Sequence, residues 1–161
     1  MITREPFIHE NKTYATDGYC FIALFEKLSD FKEANFDQKR YIINYNNGFN
    51  KFDVIQWHTI DDVNPPQLEE CEICHGNGRI QTGKCPYCDK GLYRPTYEIE
   101  IEGFQVNGWK VKDLVDNFTN VKFGLLDMPK GKVIKAQFDE GYAYLSAWIT
   151  DDSVSCKFCV V

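Results

Sequence analysis

The sequence contains no long hydrophobic run. A membrane-spanning helix needs about 20 consecutive apolar residues, and no segment of this 161-residue chain approaches that length. Residues 1–6 (MITREP) are mostly polar and lack the apolar stretch of a signal peptide. We therefore expect a cytoplasmic protein without a membrane partner.

An excess of positive charge is also missing. The chain has 18 Lys and Arg against 24 Asp and Glu, which gives a net charge of −6. This balance argues against a protein that is basic over most of its surface, but it is compatible with a local basic face and with DNA as a candidate partner. The candidate nucleic-acid contacts are Lys110, Lys112, Lys122, Lys132 and Lys135. The alternative, which we favour, is that these lysines are solvated opposite acidic neighbours such as Asp113, Asp116 and Asp127.

Common catalytic motifs are missing as well. The sequence has no glycine-rich phosphate loop, no Gly-x-Ser-x-Gly elbow and no His-Glu-x-x-His pair. Its three histidines, His9, His58 and His75, are far apart in the chain. Because no side chain stands out as a nucleophile or base, we expect no catalytic activity and identify no small-molecule substrate. A deep pocket lined by converging polar groups would instead indicate an enzyme.

What the sequence does contain is paired cysteines. Six of its seven cysteines fall into Cys-x-x-Cys pairs, and Cys71, Cys74, Cys85 and Cys88 form two pairs separated by ten residues. In a reducing compartment such spacing indicates metal binding rather than disulfides. Four thiolates suit a tetrahedral Zn²⁺ ion and leave no coordination position for catalytic water. The sequence therefore predicts a structural zinc site at these four cysteines.

The residues around the two pairs support this prediction. Gly76 and Gly78 follow the first pair and Gly91 follows the second, and glycine readily adopts the positive φ of a chain that turns around a metal. His75 is a spare candidate ligand, but four thiolates suffice, so we expect its side chain to be solvated. A loop of about 20 residues has too small a core to fold alone, and zinc binding contributes about 10–16 kcal/mol. Basic residues flank the cysteines in a way that is compatible with nucleic-acid contact: Arg79, Lys84, Lys90 and Arg94.

A third pair, Cys156 and Cys159, lies near the C-terminus. We predict a second metal or thiol site there, with three alternatives. The two residues are thiols on a last strand, or they bind a metal together with Cys20, a histidine or a partner chain, or they form a redox pair.

Strand and turn signals predict an α+β fold: a mainly antiparallel sheet with one or two helices and an inserted four-cysteine zinc knuckle. The α+β domain would comprise residues 1–66 and 95–161, and the zinc-binding insertion residues 67–94. Asp17–Gly18 predicts a hairpin turn of type I′, in which both central residues have positive φ.

The remaining elements follow from hydrophobic periodicity. The segment 109–118 predicts an amphipathic helix, since Val111, Leu114, Val115 and Phe118 recur with helical spacing. Strands are predicted over 97–102, 120–126, 132–138 and 141–150. Before the cysteines, we predict a helix over 26–35 and strands over 41–45 and 52–60.

Two short resemblances to known families follow from these motifs. Residues 71–78 resemble the Cys-x-x-Cys-x-Gly-x-Gly repeat of DnaJ-type co-chaperones, which implies a zinc knuckle; the four-repeat array and the J-domain of that family are absent. The Ala-Thr-Asp-Gly hairpin ending at Gly18 and the order of the later elements resemble bacterial DNA sliding clamps. The chain has room for one clamp domain, so this resemblance implies an oligomer.

Two hypotheses of function follow. The first is a non-enzymatic zinc-binding accessory protein, a clamp-like factor in phage or mobile-element DNA metabolism that self-associates or docks onto a replication protein. The second is a zinc-dependent interaction module that binds a host protein, with an acidic surface suited to a basic partner or to nucleic-acid mimicry. Two similar halves, each a helix against a few strands, would favour the clamp.

Overall fold

The computed structural model describes residues 5–60, 62–129 and 132–148 of the chain. None of the helices in this described part is long and apolar enough to cross a membrane. The helices are α1 (Phe36–Phe49) and α2 (Gly108–Asn117). The strands before the cysteines are β1 (Phe7–His9), β2 (Lys12–Thr16), β3 (Cys20–Leu24) and β4 (Lys32–Glu33). The cysteine segment contains β5 (Glu69–Glu70), β6 (Arg79–Ile80), β7 (Gly83–Lys84) and β8 (Leu92–Tyr93). The later strands are β9 (Glu98–Ile101), β10 (Phe104–Asn107), β11 (Lys122–Leu125), β12 (Val133–Phe138) and β13 (Gly141–Trp148).

One large sheet carries most of the fold. Its strand order is β11-β12-β13-β3-β2-β1-β4, and the β9–β10 hairpin joins it through β10 and β13. All of its pairs are antiparallel except β1 with β4. The strand β13 is the centre, because it pairs with β12 on one side and with β3 and then β10 on the other. The predicted α+β class with a mainly antiparallel sheet is confirmed.

The sheet has a hydrophobic core on each face. Along β3, Cys20 belongs to one core and Phe21 and Ala23 belong to the other, as expected for a strand that is buried on both sides. Helix α2 packs on the first face through Val111 and Leu114. Helix α1 packs on the opposite face, where aromatic side chains dominate.

Helix α1 corrects two sequence predictions. Residues 41–45 are not a strand, because they lie inside α1. Residues 26–35 are not a helix; they contain bends and the short strand β4, and Asn35 is the N-cap at which α1 begins. The Asn35 side chain accepts a hydrogen bond from the Gln38 backbone, and the Gln38 side chain accepts one from the Asn35 backbone, so the two form a capping box.

Residues 52–60 also differ from their prediction. They form no strand of the sheet and pair with it only at two isolated β-bridges, Val54 with Leu126 and His58 with Phe123. The mixed polar and apolar pattern on both faces of this segment explains why no longer ladder forms.

The later elements agree with the sequence. Helix α2 and strands β9, β11, β12 and β13 lie within a few residues of their predicted positions. The Asp17–Gly18 hairpin is also confirmed, although its turn is not type I′. Of these two residues, Gly18 alone has a positive φ (+91°), and the Asp17 carboxylate instead accepts the backbone N–H groups of Tyr19 (2.9 Å) and Cys20 (2.8 Å). Positive φ at both central residues, as in a type I′ turn, instead occurs at Glu10 and Asn11, between β1 and β2.

Candidate metal centre

The four predicted cysteines lie in a small unit between α1 and β9, which we call the cysteine module (residues 69–93). It contains two short hairpin-like sheets, β5 with β8 and β6 with β7. Its core consists of Cys71, Cys74 and Cys85, with Cys88, Ile80 and Tyr93 packed against them. This core is separate from the two cores of the large sheet. The boundaries proposed for the insertion, residues 67–94, stay a prediction.

The four sulfur atoms converge on one point. All lie within 4.8 Å of one another; Cys71 Sγ is 3.9 Å from Cys85 Sγ, and Cys74 Sγ is 3.5 Å from Cys88 Sγ. A tetrahedral ion with metal–sulfur bonds of about 2.3 Å has sulfur–sulfur edges of about 3.8 Å. The four thiols could therefore hold a metal ion with little rearrangement.

The backbone of the two Cys-x-x-Cys turns is arranged reciprocally. The N–H of Cys71 donates to the carbonyl of Gly91 (2.8 Å), and the N–H of Cys85 donates to the carbonyl of Gly78 (3.0 Å). Each turn thus positions the first cysteine of the other. Gly91 has a φ of +97°, and a Cβ on it would lie 1.9 Å from the carbonyl oxygen of Gly76. The two turns can approach this closely only because position 91 has no side chain.

The surroundings of the cluster favour the thiolate of one cysteine and disfavour that of another. The backbone N–H of Gly78 lies 3.2 Å from the Cys74 sulfur. The backbone N–H of Cys74 donates to the Cys71 sulfur, and this is the main reason why the pKa of that thiol falls to about 7. Burial, as the largest cause, raises the pKa of Cys88 to about 12. Without a metal some of these thiols retain protons at neutral pH, and a bound metal replaces them.

His75 does not join the cluster. The residue is exposed, its backbone has a φ of +48°, and among the described residues the group of converging ligand atoms consists of the four cysteines. A ligand from His75 is therefore not needed, because the four cysteines already supply four ligand atoms.

The C-terminal end of the module is anchored to helix α2, which packs on the large sheet. The Arg94 guanidinium donates two hydrogen bonds to the Asp113 carboxylate on α2 (2.8 and 3.2 Å). It also lies 5.0 Å from the centre of the Trp109 ring, and the indole N–H of Trp109 donates to the carbonyl of Pro95 (2.7 Å). Arg94 is therefore engaged in holding the module against α2.

The five lysines that the sequence suggested as nucleic-acid contacts do not form one surface. On α2, Lys110 forms an ion pair with Asp17, and Lys112 forms one with Asp116 (2.8 Å). Lys135 points to the opposite face of the sheet, where burial lowers the pKa of its amine. The two remaining lysines lie elsewhere. Lys122 is exposed on β11, and the amine of Lys132 lies 5.2 Å from the centre of the Phe104 ring.

A cavity of about 730 Å³ lies between the β2–β3 hairpin and α2. Its wall includes Ile22, Leu114 and Cys20, with Asp17 and Lys110 at its rim. Burial is the main reason why the pKa of Cys20 rises to about 12, so this thiol is neutral at pH 7 and is not an activated nucleophile. Cys156 and Cys159 lie outside the described residues.

Comparison of the chain with protein-family models, with curated proteins and with solved structures finds no match.

Proposed function

We propose that this chain is a non-enzymatic zinc-binding accessory protein, in which a structural Zn²⁺ ion holds the cysteine module as a rigid surface for another macromolecule. The convergence of four cysteine sulfurs at the distances of a tetrahedral site carries the proposal. Zinc is the ion that four thiolates in this geometry bind most commonly as a structural centre. With four protein ligands its coordination sphere is closed, so its role is to stabilise the fold.

The composition of the module explains why it needs a metal. Its core is made of the cysteines themselves and the partly buried Ile80, Cys88 and Tyr93, which is too little apolar area to fold a short segment. Large apolar side chains instead lie at its surface. Ile73 and Tyr87 occupy the same position in the two Cys-x-x-Cys turns and are 58% and 69% exposed. Zinc would thus fix a surface whose apolar and charged groups remain free for a partner. A reducing compartment such as the cytoplasm would keep the thiols available.

Between the two hypotheses, the topology favours the interaction module. The described chain has four strands and then a helix before the module, but two strands, a helix and three strands after it. The two helices pack on opposite faces of one sheet. These halves are not alike, so a clamp-like factor in DNA metabolism is supported only by the Asp17–Gly18 hairpin and the order of the later elements. A larger assembly retained on circular DNA would favour the clamp, whereas a monomer by light scattering would argue against it.

Hydrogen exchange with and without a chelator tests the role of the metal. We expect a strong zinc chelator to remove protection from residues 69–93, because their small core cannot fold unaided. Protection of β12 and β13 in the large sheet serves as the internal control and should not change. If the module keeps its protection after zinc has been removed, the metal does not hold it together and the proposal is wrong.

A further inference from the structure

A basic groove runs along the β6–β7 side of the cysteine module. It has a volume of about 590 Å³, and its walls come from both Cys-x-x-Cys turns and the hairpin between them. The residues that line it are Asn77, Gly78, Arg79, Ile80, Gln81, Gly83, Lys84 and Lys90. Three of these eight are cations and none is acidic. A concave surface with three positive charges is unexpected in a chain of net charge −6.

Charge is segregated within the module. The carboxylates Glu69, Glu70 and Glu72 lie on or next to β5, in the other small sheet. Asp89 comes near the groove, because its carboxylate lies 3.8 Å from the Lys84 amine. Both partners of that pair are more than three-quarters exposed, so it contributes little and exchanges readily for another anion.

Two of the groove cations, Arg79 and Lys90, differ from the basic residues at α2. Lys110, Lys112 and Arg94 each pair with a carboxylate across or along α2. Arg79 and Lys90 are exposed, and the groove brings them to the same surface as Lys84. This convergence depends on the packing of the two turns, since Lys90 belongs to the second turn and Arg79 follows the first.

The backbone leaves room for a ligand to come close. Gly83 has a φ of +130°, and a Cβ added to it would meet no atom within 4 Å, so the groove is open at that point. A glycine at such a place allows a ligand to approach the main chain. On the opposite wall, a Cβ on Gly78 would lie 3.0 Å from the backbone of Lys90, which keeps the second turn close to the first.

The chemistry of the lining favours phosphate and base contacts over an acidic peptide. Arg and Lys bind phosphate oxygens by charge-assisted hydrogen bonds. The amides of Asn77 and Gln81 can donate to and accept from base edges. Ile80 is the one large apolar side chain of the lining, so the groove offers no apolar pocket in which to seat peptide side chains. The exposed ring of Tyr87, on the same module, is available for base stacking.

The shape of the groove favours a single strand. A duplex presents its phosphates on a convex surface that cannot enter a small concave site, whereas a single strand can bend into it with its bases unstacked. We propose that this groove binds single-stranded nucleic acid through a few consecutive phosphates held by Arg79, Lys84 and Lys90. The inference rests on the proposed zinc-held module, which forms the groove.

Fluorescence anisotropy of the zinc-loaded full-length protein tests it. The probes are fluorescein-labelled oligo(dT) and oligo(U) of about 12 nucleotides, a length within the usual site size for single strands. At low salt we expect binding of at least one probe, with log K falling against log[salt] with a slope of about −2, since three phosphate contacts each contribute about −0.7.

A pair of matched double variants locates the site. R79Q/K84Q should weaken binding by about tenfold or more and reduce the salt slope to about −0.7, because one contact remains. K112Q/K122Q removes the same charge from the large sheet domain and should bind within about twofold of the unchanged protein. Zinc content is measured for every sample, so that a failure of the metal site is distinguished from a failure of the groove.

Four results would overturn the inference while leaving the zinc-held module intact. They are zinc-loaded protein that binds neither probe, equal losses in the two double variants, tighter binding of a duplex than of a single strand, and tighter binding of poly-glutamate than of either oligonucleotide. The last result would assign the groove to an acidic peptide.

Discussion

At the scale of single residues, the cysteine module depends on glycine as well as on cysteine. Gly91 contributes no side-chain contact, yet its missing Cβ is what allows the two Cys-x-x-Cys turns to meet at the backbone of Gly76. The reciprocal hydrogen bonds to Cys71 and Cys85 require the same approach. The ligands and the backbone that orients them are therefore one unit.

A substitution at Gly91 tests this dependence. In G91A the new Cβ would lie 1.9 Å from the Gly76 carbonyl oxygen, so the turns must separate and the sulfurs must leave their positions. We expect zinc affinity to fall by about 10–100-fold, as for other changes that disturb ligand orientation. Competition with a chromophoric chelator measures it.

Gly83 supplies the matched control. It also has a positive φ (+130°), but a Cβ there would meet nothing within 4 Å. G83A should therefore show the cost of backbone strain alone and retain zinc more tightly than G91A. Equal zinc affinities for G91A and the unchanged protein would show that the close approach of the turns is not required.

The cluster of four cysteines could be predicted from the sequence because their spacing is local information. Two Cys-x-x-Cys pairs ten residues apart indicate a metal site without knowledge of the fold. The sequence indicated basic residues beside the cysteines, but it could not show that Arg79, Lys84 and Lys90 line one groove. Lys90 reaches Arg79 and Lys84 only through the packing of the two turns, and the lysines that are neighbours in sequence, Lys110 and Lys112, pair with carboxylates instead.

At the scale of elements, the two helices show what a pattern can and cannot predict. Helix α2 has an aliphatic stripe with helical spacing, and Val111 and Leu114 are buried as that stripe predicts. Helix α1 instead packs aromatic side chains against the sheet: Tyr41 and Tyr45 lie 6.3 and 4.7 Å from Phe21, between ring centres. Because tyrosine and isoleucine are frequent in strands, the sequence of residues 41–45 predicts a strand. Tertiary packing and the Asn35 cap stabilise the helix instead.

The cap offers a direct test of where α1 begins. N35A removes the side chain that accepts the Gln38 N–H (2.9 Å) and should lower the free energy of unfolding by about 1 kcal/mol, as the loss of an N-cap usually does. Urea denaturation of the zinc-loaded protein measures this change.

An interior asparagine of the same helix is the control. Asn47 is exposed within α1, where alanine is the better helix former, so N47A should leave stability unchanged or raise it by about 0.5 kcal/mol. If N35A proved neutral, or if N47A destabilised as much as N35A, the helix would not begin at Asn35.

At the scale of the whole molecule, a sheet with a helix on each face carries the cysteine module at its side. The sheet has its own two cores, and the module joins it through Arg94 and Trp109. The net charge of −6 repels long polyanions, so a nucleic-acid contact at the groove would be short and strongly dependent on salt. The sheet would then serve as a scaffold that presents the module.

Native mass spectrometry of the full-length protein tests whether Cys71, Cys74, Cys85 and Cys88 bind one zinc ion. Replacing all four cysteines with serine should reduce the zinc content by one ion per chain, whereas replacing Cys156 and Cys159 with serine should leave that ion in place. A protein that binds no zinc, or one that keeps its full zinc content after the four replacements, would contradict the account.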